Sequence, residues 1–188
     1  GCVSTSLIVK LLKTLKTPYF YKIPNRFIDG YGANKELIKK VVADKPRLVI
    51  FVDNGSNSVE GINYLNKNNI KTIIIDHHEI YRPYPNCGSL INPKKKNTGK
   101  NYDYFCSAVL TYFFIDIYLN RKSLKINFSE NLNLVLMAII SDVMPLRKIN
   151  RLIALKVIKN FNSYDNYVFK KILDIKKINK PIEIDDFG

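Results

Sequence analysis

Two short runs of unbroken apolarity, each closed by an aspartate, restrict this chain more than any other feature. Leu48-Val49-Ile50-Phe51-Val52 leads into Asp53, and Thr72-Ile73-Ile74-Ile75 leads into Asp76. A strand with one wet face alternates apolar and polar residues. A run without alternation belongs to a strand buried on both faces, as in a parallel sheet covered by helices. Between the runs, residues 58–68 carry Ile62 and Leu65 at helical spacing. Strand, helix, strand in that order implies a right-handed crossover between parallel neighbours. The expected fold class is α/β, a parallel sheet with flanking helices. Both aspartates should then emerge at the carboxyl ends of neighbouring strands, where open α/β sheets keep their ligand crevices.

The rest of the chain fits around that unit. Leu7, Ile8, Leu11, Leu12 and Leu15 give residues 4–16 a helical face. Tyr19 to Ile23, after Pro18, reads as a short strand. Arg26-Phe27-Ile28-Asp29-Gly30-Tyr31-Gly32 is a glycine-punctuated loop. Asn34 can cap a helix whose apolar face is Leu37, Ile38, Val41 and Val42. Pro83, Pro85 and Pro93 mark residues 81–101 as loop, with Lys94-Lys95-Lys96 inside it. Helices are predicted over about 105–119, 130–140, 148–161 and 164–173. One domain of 188 residues results, with an α/β part over about 1–103 and a mainly helical part over about 104–188.

Composition excludes several classes. No apolar run approaches the roughly 20 residues that span a bilayer, and the first residues show no signal-peptide pattern. Cys2, Cys87 and Cys106 are odd in number and far apart, which argues against a disulfide framework or a thiolate zinc site and fits a reducing cytoplasm. The net charge is +14. Lysine enrichment alongside asparagine and isoleucine suits an AT-rich genome; it equally suits a polyanionic partner such as nucleic acid. The chain opens at Gly1 and closes on Ile182-Glu183-Ile184-Asp185-Asp186-Phe187-Gly188, which reads as a strand cut short. A fragment truncated at both ends is expected.

Three places can carry chemistry. Asp53 is followed by Asn54-Gly55-Ser56, a turn that lets backbone stay close to a ligand. By itself that tetrapeptide is also an ordinary turn. Asp76 is followed at once by His77-His78, the only histidines in the chain. A carboxylate and imidazoles at a strand end make a nest for Mn²⁺ or Mg²⁺, whereas the plainer alternative is an exposed loop with hydrogen-bonded rings. Asp142, at the end of the apolar stretch 132–140, is a charge near the core edge that needs a partner or a metal. The plainer alternative there is a helix exit stopped by Pro145.

Val52-Asp53-Asn54-Gly55, then Ile75-Asp76-His77-His78, then Ser141-Asp142-Val143-Met144-Pro145-Leu146 with Asn150-Arg151, resemble the ordered motifs of the DHH phosphoesterase superfamily. Arg26 to Gly32, Ile91-Asn92-Pro93 and Leu119-Asn120-Arg121 are similar to segments of its single-strand DNA exonuclease branch, in the same order. The resemblance implies a two-ion hydrolase using Mn²⁺ or Mg²⁺, with 5′-3′ single-stranded DNA exonuclease activity in DNA repair and recombination. It assigns Asp53, His77 and Asp142 as metal ligands, His78 as the histidine facing the scissile phosphate, and Asp76 as the residue orienting the histidines. Arg26 and Arg151 are implied phosphate contacts. Lys94, Lys95 and Lys96 are candidates for the DNA backbone, with Tyr102 and Tyr104 as bases' stacking partners; a solvated loop with packed tyrosines is the competing reading.

The family's first motif is a cluster of aspartates ending in Asp-Gly. Gly1 corresponds to that glycine, so the two-ion site is expected to be incomplete in this chain. Another DHH activity, on oligonucleotides, cyclic dinucleotides or pyrophosphate, and an inactive nucleic-acid-binding fragment remain alternatives. The implied protein is a cytoplasmic bacterial monomer whose partner is single-stranded DNA.

Overall fold

The computed structural model describes residues 1–24, 33–96, 100–161, 167–175 and 182–187. The arginine loop at 25–32, with Arg26, lies outside the described residues.

The two apolar runs form strands β1 (Leu48–Val52) and β2 (Lys71–Ile75), joined through helix α3 (Val59–Lys67). They pair in parallel, Leu48 opposite Lys71 and Val52 opposite Ile75. A third parallel strand, β3 (Ser89–Ile91), lies on the far side of β2. It sits inside the segment expected to be loop. Its three residues are too few to show a period, so the strand exists through its pairing with β2.

Continuous apolarity in β2 has the expected cause. Ile75 turns to one face, where a large core holds Leu7, Val52, Val109, Leu136 and Val157; Ile74 turns to the other, where Ile38, Phe51, Ile62 and Leu65 form a smaller core. Both isoleucines have no exposed surface. Burying each contributes about 1.5–3 kcal/mol.

Helix α1 (Cys2–Thr14) supplies Leu7, Ile8 and Leu11 to the large core. Helix α2 (Lys35–Ala43) covers the opposite face and is capped as expected, with the Leu37 N–H donating to Asn34 Oδ1 at 2.7 Å. The second half is helical: α4 (Ser107–Arg121), α5 (Leu132–Ser141), α6 (Lys148–Asn160) and α7 (Tyr167–Ile175). Asn150, fully buried, donates to the carbonyls of Tyr104 and Pro145 and so pins the loop after α5 to the segment before α4.

The strand expected at Tyr19 to Ile23 does not form. The segment is irregular, with Tyr21 59% and Ile23 52% exposed. β-propensity expresses itself through cross-strand partners, and no described strand pairs with it. Between this segment and β1, whose outer edge carries no described strand, lies a cleft of about 1010 Å³. Tyr19, Phe20, Val41 and Ile50 line its apolar stretch, and Asp53, His77, His78 and Asp142 line its end. No helix among the described residues is long and apolar enough to cross a membrane.

Candidate metal centre

Asp53 and Asp76 leave neighbouring strands side by side, as the sequence predicts. Asp53 takes a left-handed backbone (φ 62°), which aspartate tolerates better than most residues. Its N–H is held by the Ile75 carbonyl at 2.9 Å and by Ser107 Oγ at 3.1 Å. Ser107 in turn donates to the Ile75 carbonyl at 2.8 Å. Gly55 follows at φ 100°, and a Cβ there would stand 3.0 Å from Phe51 Cβ. Glycine is therefore required for the turn.

Asp53 Oδ1 is buried and accepts no hydrogen bond among the described residues. His77 Nε2 faces it at 3.3 Å, off the line of a hydrogen bond, and lies 4.0 Å from Asp142 Oδ2. The Gly1 ammonium contacts the other Asp53 oxygen. Burial pushes the Asp53 carboxyl up, but the contacts with His77 and that ammonium outweigh it and bring the carboxyl down to about 2. Asp53 is thus an anion whose inward oxygen has no donor among the described residues.

Asp76 is 1% exposed and has the opposite bonding. Oδ1 accepts from the backbone N–H of His77 (2.8 Å) and of His78 (3.3 Å) and pairs with His78 Nδ1 (2.7 Å); Oδ2 accepts from Ser56 N–H (3.1 Å). Burial raises its carboxyl, and the bonds from His78 and Ser56 lower it below the usual range overall. Nδ1 of His78 is engaged by a carboxylate, so Nε2 is the ring atom left to act. Asp53, His77 and His78 offer ligand atoms all within 4.8 Å of one another.

Asp142 caps the carboxyl end of α5, whose Val135, Leu136 and Ile139 are fully buried. The N–H groups of Asp142, Val143 and Met144 donate back to Ala138, Ile140 and Ile139 and close the helix. Val143 adopts φ 53° and is 88% exposed, an unfavourable state for a β-branched residue. Asp53 and Asp142 thus each bring a carboxylate oxygen within 4.0 Å of His77 Nε2, while the donor atoms that all lie within 4.8 Å of one another are those of Asp53, His77 and His78.

Cis ligands on an octahedral Mg²⁺ or Mn²⁺ stand about 3 Å apart, given bonds near 2.1 Å. The spacings of 3.3 and 4.0 Å, the orphaned Asp53 oxygen and the mixture of carboxylate and imidazole donors fit such an ion. Cys106, next to this cluster, does not belong to the donor set: burial, with the nearby Asp142 and Asp53 charges adding, pushes its thiol up to about 11.

The basic candidates fare differently. None of Lys94, Lys95 and Lys96 lines the cleft. Lys94 pairs with Glu79 at 2.8 Å, Lys95 lies over the Tyr84 ring, and the Lys96 N–H donates to the Tyr84 hydroxyl. Arg151 is exposed on α6 and is not among the residues lining the cleft. Tyr104 is 2% exposed, packed against Phe105 and under the Arg147 guanidinium, so it cannot stack on a base; Tyr102 remains half exposed. Ser56, Asn92 and Ser107 carry site contacts to which the sequence assigns no role. Isolated serines and asparagines have no signal; Ser56 stands in the turn after Asp53 and Asn92 in Ile91-Asn92-Pro93, neither with a role legible there.

Residues 1–139 match the DHH family, N-terminal domain, and the chain belongs to that family. It is 30% identical over 164 residues to the single-stranded-DNA-specific exonuclease RecJ of Escherichia coli, and 28% identical over 163 residues to that of Haemophilus influenzae. These alignments cover 81% and 82% of the chain but only 28% of either relative, so the chain spans under a third of their length. The fold matches a crystal structure of exonuclease RecJ bound to manganese, with a TM-score of 0.84 at 22% identity, over 98% of this chain and 47% of that one. A second match is RecJ in complex with Mn²⁺ from Thermus thermophilus, with a TM-score of 0.78 at 18% identity, over all of this chain and 26% of that one.

Proposed function

We propose that this chain is the DHH part of a RecJ-type phosphodiesterase that degrades single-stranded DNA from the 5′ end, in DNA repair and recombination, with Mn²⁺ or Mg²⁺. The observation that carries this is the convergence of Asp53 and Asp142 on His77 Nε2. Asp53, His77 and Asp142 would hold the ion. Three donors are fewer than the six such ions take, and water, substrate oxygens or other parts of the parent protein would supply the rest, including those for a second ion. When bound, divalent ions activate water and neutralise charge developing on the phosphate.

The chain's own residues do the remaining work. His78, with Nδ1 engaged by Asp76, presents Nε2 to the scissile phosphate. Asp76 keeps both histidines in register through their backbone N–H groups. The cleft gives a nucleotide room to reach the cluster. The net charge of +14 supports binding to a polyanion, with Arg26, Arg151 and Lys94 to Lys96 as contacts to the phosphate backbone. The three unpaired cysteines suit the bacterial cytoplasm, where the protein would act as a monomer.

The test is hydrolysis by the whole parent protein. Single-stranded DNA labelled at either end is incubated with and without Mn²⁺, and released mononucleotides are measured. Mononucleotides released from the 5′ end, lost in His77→Ala and Asp142→Ala, are expected. No metal-dependent release from single strands, with turnover of cyclic dinucleotides or pyrophosphate instead, would replace this reading with another DHH activity. Metal-independent binding without turnover would leave only a binding role.

A further inference from the structure

Asn92 is a buried amide whose donors and acceptor are all used, and its partners belong to three strand-end loops. It is 2% exposed in the segment after β3. Nδ2 donates to Ser56 Oγ in the loop after β1 at 2.8 Å, and to the His78 carbonyl after β2 at 3.0 Å. Oδ1 accepts from the Lys94 N–H at 2.8 Å. Because an N–H can only donate, that last bond fixes which way round the amide sits.

These bonds close a ring. Asn92 binds the Ser56 hydroxyl, the Ser56 N–H binds Asp76 Oδ2, Asp76 Oδ1 binds His78 Nδ1, and the His78 carbonyl returns to Asn92. His78 is thereby held from two sides, at its ring and N–H by Asp76 and at its carbonyl by Asn92. Its side chain is still 46% exposed, toward the cleft. The His77 and His78 rings lie 4.6 Å apart, so a shift of one is felt by the other.

We propose that Asn92, acting with Ser56, is a positioning residue that sets the orientation and tautomer of His78. This rests on the reading of His78 as the group facing the phosphate. Asp76 holds His78 at its ring and its N–H through one oxygen, which leaves the carbonyl side of the residue free to swing about that point. The second grip removes that freedom before substrate arrives, so no reorganisation is required during the reaction. A merely structural asparagine would affect folding stability without influencing which ring nitrogen carries the proton.

The experiment is long-range ¹⁵N–¹H NMR of the imidazoles in the metal-free protein, on the basic side of neutrality. In the wild type, His78 should show one tautomer, protonated at Nδ1. Asn92→Ala should convert it to a mixture, and Ser56→Ala, which removes one link only, to a smaller admixture. A folded Asn92→Ala protein with a pure Nδ1–H tautomer overturns the proposal. If that variant does not fold, an unchanged His78 spectrum in Ser56→Ala overturns it. In the parent protein, Asn92→Ala should lower kcat about tenfold or more with KM unchanged, and should cost nothing further in a His78→Ala background. An additive loss there contradicts action through His78. If no variant or wild type hydrolyses DNA, the nuclease reading fails while the tautomer result still decides the role of Asn92.

Discussion

The ends of β1 and β2 begin from one pattern and finish in opposite states. Val52 and Ile75 are register partners, so Asp53 and Asp76 stand next to each other at the sheet's carboxyl edge. Asp76 takes up its bonding capacity internally, with four contacts to Ser56, His77 and His78. Asp53 keeps one buried oxygen without a donor among the described residues and faces His77 with it. A carboxylate whose lone pairs are occupied can orient its neighbours but not bind; one left bare can bind at the cost of local stability. The two aspartates divide those tasks.

The difference can be broken most directly by removing each carboxylate in turn. Asp53→Ala should weaken Mn²⁺ binding by more than about 100-fold, beyond what loss of an outer partner costs. Titration calorimetry on the purified protein would show it, and unchanged affinity would erase the distinction. Asp76→Ala should act mainly on folding. It strands three backbone N–H groups and one imidazole, a loss of about 3 kcal/mol in urea unfolding, with metal affinity reduced about tenfold. Greater destabilisation from Asp53→Ala than from Asp76→Ala would reverse the roles.

Acid sharpens the comparison. Both carboxyls sit below their ordinary value in the folded protein. A lowered carboxyl contributes stability that is complete above the unfolded pKa and drains as pH falls through the folded one. For Asp53, held down by His77 and by the Gly1 ammonium against the effect of burial, that window lies below 3.8. Asp53→Asn should therefore flatten the acid limb of a stability-versus-pH curve, and an unchanged limb would contradict the charge interactions described. Smaller effects belong to the backbone. Gly55→Ala, forced to positive φ against Phe51, should cost about 1–2 kcal/mol in thermal unfolding. Val143→Gly should relieve the left-handed valine and gain up to about 1 kcal/mol, while leaving Mn²⁺ affinity as it was.

The parallel unit, the helices and the strand-end aspartates were legible because each depends on local pattern: unbroken apolarity, 3.6-residue spacing, an Asn cap. Tyr19 to Ile23 was not, because strand formation is decided by a partner that composition does not reveal. β3 was missed for the complementary reason, being made by its neighbour rather than by its own three residues. At the site, His77 and Asp142 could be picked out as scarce or awkwardly charged groups, and the family resemblance supplied their roles. The separation of Asp53 from Asp76 in bonding could not be read from two strand-terminal aspartates. It is set by the N–H groups of His77 and His78, the His78 ring and the N–H of Ser56, 20 positions away, all of which turn to Asp76 and none to Asp53 Oδ1.

Ser107 carries one more consequence. Its hydroxyl is a rivet through three elements, fastening the first residue of α4 to the ends of both β1 and β2. The carboxylate of Asp53 is thereby geared to a 15-residue lever whose far end, at Arg121, lies outside the cleft. Any tilt of that lever, from a substitution or from a domain leaning on it, would be transmitted to Asp53 without touching the pocket.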